Sequence, residues 1–78
     1  SHTKIFVNVA EGFALKASQL KTLRGQEKYL RQAMATLNEG IELGKGDQQE
    51  LSQALRRIEE QQRRLRNQSR DSIQQRDP

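Results

Sequence analysis

The chain has 78 residues, a net charge of +4 and a pI near 10.0, which limits it to one small domain or a piece of a larger chain and favours acidic partners only mildly. With no Cys it has neither a disulfide nor a thiolate metal site, and its one His leaves metal binding to carboxylates whose spacing does not argue for it. Leu, Ile, Val and Phe make up 17 of the 78 residues, little above the level at which a charged chain stays disordered, so periodicity has to organise what core there is.

Residues 1–9 read as an amino-terminal arm. From Thr3 to Val9, Ile5, Val7 and Val9 alternate with Lys4, Phe6 and Asn8, the pattern of a short strand or extended segment. The longest apolar run, Ile5-Phe6-Val7, is broken at once by Asn8, so it is neither a signal peptide core nor a membrane span. Asn8 with Glu11 offers a box-like cap, and a first helix is expected over 10–43, about 50 Å at 1.5 Å per residue. Along it Leu20, Leu23, Leu30, Met34, Leu37 and Ile41 fall at three- and four-residue steps, with Glu27 in the one gap.

Gly25 is the weak point of that helix, costing about 1 kcal/mol relative to Ala in a helix interior. Divided at Arg24-Gly25, the chain would read as a strand and two short helices before a third. That order resembles a ribbon-helix-helix DNA-binding protein in element order alone, and no motif accompanies it.

Leu43-Gly44-Lys45-Gly46-Asp47 marks a turn at 44–46. Gly44 suits the left-handed position past a helix end, and Asp47, with Glu50 three residues on, forms a capping signature for a second helix over 47–73. There Leu51, Leu55, Ile58 and Leu65 continue the seam, with Gln62 in the gap. Folding back at the turn pairs positions whose numbers sum to 92, such as Ile41 with Leu51 and Glu27 with Leu65. Glu27 then lies one residue from Arg66, toward which its carboxylate can turn. Residues 74–78 have little to bury and read as a disordered tail.

The expected fold is therefore all-α, an antiparallel two-helix, coiled-coil-like hairpin with an extended amino-terminal arm. Its seam would be half exposed, and pairing with a second copy into a four-helix bundle is the expected remedy.

For function, an enzyme is not expected and no cofactor is implied. Gly40 to Lys45 looks like a phosphate loop, but it has three residues between its glycines where four are needed, and Gly46 stands where a hydroxyl must reach the metal. Glu59 and Glu60 precede Arg63 and Arg64 by four residues, the favourable order for ion pairs along a helix. The first expectation is a helical-hairpin interaction module, an adaptor, chaperone-like or assembly subunit, pairing with itself or with a helical partner through Phe6, Phe13, Leu20, Leu23, Glu27 and Tyr29. The alternative is a small nucleic-acid-binding regulator using an Arg ribbon on the second helix, where Arg56, Arg63 and Arg70 recur every seven residues with Arg57 and Arg64 beside them. A membrane is not an expected partner, and the cytoplasm is the default location.

Overall fold

The computed structural model describes residues 2–76, and the side chains as far as Gln68. It contains three helices, α1 (His2–Gln19), α2 (Leu23–Glu42) and α3 (Gln48–Arg76), and no strand among the described residues. Two sequence expectations are corrected here. Residues 2–9 are helix rather than an extended arm, and the helix expected over 10–43 is interrupted at residues 20–22. Without a strand, the ribbon-helix-helix order does not apply.

The arm was misread because two periods fit its first residues. Ile5, Val7 and Val9 alternate, but Thr3, Phe6, Val7, Ala10, Phe13, Ala14 and Ala17 follow the three- and four-residue steps of a helix face over a longer stretch. Burial follows the second pattern: Thr3, Ala10 and Ala17 are buried, whereas Ile5 and Val9 are exposed.

The break at 20–22 is built by Thr22. Its backbone is extended (φ −97°, ψ 142°), and its Oγ1 accepts a hydrogen bond from the Gly25 amide at 3.1 Å, the N-cap arrangement that satisfies a free amide of the first turn. Gln26 closes the corner by donating from Nε2 to the Leu20 carbonyl at 2.6 Å. Gly25 is thus inside the first turn of α2, and it is small for a reason: a Cβ there would come 3.0 Å from Thr22 Oγ1 and 3.2 Å from a Leu20 methyl.

The second turn is a Schellman motif. Gly44 has φ +65°, its amide donates to the Ile41 carbonyl, and the Lys45 amide donates to the Gly40 carbonyl. Asp47 caps α3, its Oδ1 accepting from the amides of Gln49 (3.0 Å) and Glu50 (3.2 Å). The Asp47 amide is taken by Thr3 Oγ1 at 2.6 Å, a contact reaching across 44 positions of sequence from α1. The start of α1 is therefore seated on the α2–α3 turn.

Contacts across the interfaces give the directions. Phe6 packs on Gly40 and the Phe13 ring lies 6.3 Å from that of Tyr29, so α1 runs antiparallel to α2. Gly40 also approaches Leu51, and Glu27 meets Arg66, so α3 folds back along α2 within one residue of the expected register. The buried core is Ala10, Ala17, Leu30, Ala33, Leu37, Leu51, Ala54 and Ile58. The cover expected from a second copy is supplied by α1 of the same chain.

Thr3 also explains Gly46. This residue has φ +75°, and a Cβ on it would collide with the Thr3 hydroxyl and come 2.8 Å from the Thr3 backbone nitrogen. The rest of α3, from Leu65 to Arg76, remains helical, including residues 74–76 of the expected tail; residues 77 and 78 lie outside the described residues.

Candidate interaction surfaces

Most of the side chains expected to meet a partner are engaged within the chain. Phe6 is half-buried against Gly40, and Phe13 and Tyr29 are half-buried against each other with their rings inclined by 32°. Leu20 is half-buried at the first turn. Glu27, with only 23% of its side chain exposed, accepts from Arg66 Nε at 3.3 Å. That contact relieves the charge in the seam without burying it unpaired. Of the six, only Leu23 is open, at 38% exposure.

The apolar surface that remains is on α1. Ile5 is 60%, Val9 45% and Leu15 61% exposed. Ile5, Val9 and Gly12 follow at steps of four and three, and nothing lies within 4 Å of where a Gly12 Cβ would be. α1 therefore carries apolar residues on two faces, one packed on α2 and one open. Leu15 was missed by sequence reading; its signal was its position about 150° around the helix from Ala10 and Ala17.

Among the described side chains, the arginines of the expected ribbon on α3 fall in two rows. Successive residues on a helix are about 100° apart, so Arg56 and Arg63 lie along one row and Arg57 and Arg64 along another, with Glu60 between. Glu60 accepts from both Arg63 and Arg64, the latter at 3.3 Å. The Arg63 hydrogen bond is the main reason the Glu60 carboxyl is held below its ordinary value, and Glu60 in turn raises that of Arg63. Arg56 and Arg57 are exposed and have no ion pair among the described residues; the Arg70 side chain lies outside them.

A second basic array was not read from the sequence. Arg24, Lys28 and Arg31, at steps of four and three, share the outer face of α2, and all three are exposed. The signal was helical spacing among mixed Lys and Arg, hidden behind the all-Arg pattern of α3.

Between the end of α1 and α3 a half-open groove of about 310 Å³ lies over Ala17, Leu30 and Leu65, rimmed by Gln26, Gln61 and Arg64. Its polar lining is largely amide and holds no pair of ionisable groups suited to proton transfer. Among the described residues no three His, Cys, Asp or Glu side chains gather as metal ligands, and no helix is long and apolar enough to cross a membrane. Comparison with known proteins returned nothing: no family model, no curated protein and no solved structure matches this chain.

Proposed function

We propose that this chain is a small helical protein–protein interaction module that docks through the outer face of α1, with a second copy of itself as the partner. The observation that carries the reading is the exposure of Ile5, Val9 and Leu15 on a helix whose opposite face is already packed. Covering the open halves of Ile5 and Val9 contributes roughly 1 kcal/mol each, and the core has reason to be supplemented: four of its eight buried residues are Ala. Charge favours a like partner. Lys4 and Glu11 are two helical turns apart on one edge of the apolar stripe, so antiparallel copies centred between residues 7 and 8 bring each Lys4 opposite the other's Glu11 and overlap across Ile5 and Val9, with Leu15 outside the overlap.

Sedimentation at increasing concentration tests this. The wild type is expected to dimerise, and Val9→Arg to remain monomeric with unchanged helix content. Lys4→Glu is expected to weaken the dimer, and Lys4→Glu with Glu11→Lys to restore it. A wild type that stays monomeric to millimolar concentration, or a Val9→Arg variant that dimerises as before, overturns the proposal.

A further inference from the structure

The outer face of α2 is an electrostatic liability as the chain stands. Arg24, Lys28 and Arg31 line one stripe, about 10 Å long at 1.5 Å per residue, and Lys21 precedes it in the turn; all four are exposed. Arg24 and Lys28 form a like-charge pair one turn apart. α2 has no acidic residue in its first turn, so the positive end of the helix dipole meets cations instead of the carboxylates that would suit it.

Relief within the chain is withheld. Glu27 stands four residues before Arg31, in the favourable order for an ion pair, but its carboxylate is turned to Arg66 of α3. Among the described residues no ion pair reaches Lys21, Arg24, Lys28 or Arg31. The carboxylates gather elsewhere: Glu39 and Glu42 close α2, beside Asp47 and Glu50, so charge is separated along a molecule 52 Å long.

We propose that this stripe is a docking surface for the phosphate backbone of a double-stranded nucleic acid, bound without regard to sequence. Repeated point charges along a rod suit a periodic row of phosphates. Past Arg31 the face continues as Ala35 and Asn38 and ends in the carboxylates Glu39 and Glu42, so the cationic stripe is confined to the first half of α2. It therefore lacks the large apolar residues a membrane-surface helix inserts, the aromatic platform a single strand stacks on, and the buried anchor a protein partner needs. The surface is separate from the apolar face of α1, and its test is independent of dimerisation.

The probe is a fluorescein-labelled 20-base-pair DNA duplex of mixed sequence, read by anisotropy with the full chain. Four phosphate contacts predict that affinity falls about 150-fold between 50 and 200 mM salt. With Arg24→Gln, Lys28→Gln and Arg31→Gln combined, one contact remains and the fall over the same range is about 3.5-fold, with much weaker binding at 50 mM. Glutamines at exposed helix positions preserve helix content, to be checked by circular dichroism, and Lys28→Glu alone serves if the triple variant unfolds. Arg56→Gln with Arg57→Gln is expected to leave binding unchanged. The proposal is overturned if the wild type does not bind at 50 mM salt, or if the triple variant keeps the wild-type salt dependence. Loss of binding on changing Arg56 and Arg57 alone would also overturn it, by moving the site to α3. Equal binding to polyglutamate or to anionic lipid vesicles would do the same, by making the partner an acidic protein or a membrane.

Discussion

Gly44 and Gly46 make a matched pair for testing whether α1 is seated on the α2–α3 turn. Both have positive φ, +65° and +75°, so Ala at either position meets the left-handed penalty of roughly 1–2 kcal/mol. Part of it is offset because Ala loses less unfolded-state entropy than Gly, by about 0.4–1 kcal/mol. Gly44→Ala, with nothing within 4 Å of its new methyl, should therefore cost about 1 kcal/mol. Gly46→Ala adds a methyl 2.8 Å from the Thr3 nitrogen and 3.0 Å from its Cα. Backbone cannot move aside as a side-chain tip can, so α1 has to lift. That adds an overpacking cost of roughly 1–3 kcal/mol and weakens the Thr3–Asp47 hydrogen bond, for a total of about 2–4 kcal/mol. Urea unfolding followed by circular dichroism at 222 nm measures both. Equal losses for the two variants would refute the reasoning and detach the start of α1 from the turn.

Two other perturbations follow. Glu27→Leu is expected to raise stability by up to about 1 kcal/mol, since a partly buried charge is replaced by an apolar side chain and the Arg66 guanidinium, more than half exposed, is left to solvent; a lower melting temperature would show that the ion pair itself holds α2 to α3. Glu60 is held below its ordinary value of 4.5, so its contribution is in place above that pH and fades as pH falls through the lower, folded-state value. Glu60→Gln should therefore flatten the acid limb of a stability-versus-pH curve slightly, and an unchanged limb would mean that the Arg63 and Arg64 contacts add nothing in solution.

The features that could be read from the sequence were those in which local chemistry and periodicity agreed. Gly44 and Asp47 announce a helix end and a helix start, and the seam on either side of them has one phase, so the fold-back of α3 on α2 and the approach of Arg66 to Glu27 could be read from residue spacing alone. Where the two signals disagreed, reading failed. Ile5, Val7 and Val9 alternate over too short a stretch to outweigh a helix face running from Thr3 to Ala17. Gly25 drew attention to the right neighbourhood and the wrong residue, because the cap is made by Thr22 and the glycine only gives it room. The surfaces were less legible still. Phe6, Phe13 and Tyr29 are the kind of residue that marks an interface, and nothing in composition says that the chain's own first two helices pack together over them. Once α1 takes that place, the open apolar face shifts to Ile5, Val9 and Leu15.

The hydrogen bond from the Asp47 amide to Thr3 has a practical use in telling two kinds of α1 event apart. Because the acceptor belongs to α1 and the donor to the cap of α3, hydrogen exchange at this single amide reports whether the start of α1 is on or off the bundle. Association through the outer face of α1 leaves the bond intact and slows exchange, whereas a partner that peels α1 away to reach the Leu30 and Leu37 layer beneath removes the acceptor and speeds it. One backbone proton thus distinguishes a partner that adds to the fold from one that opens it.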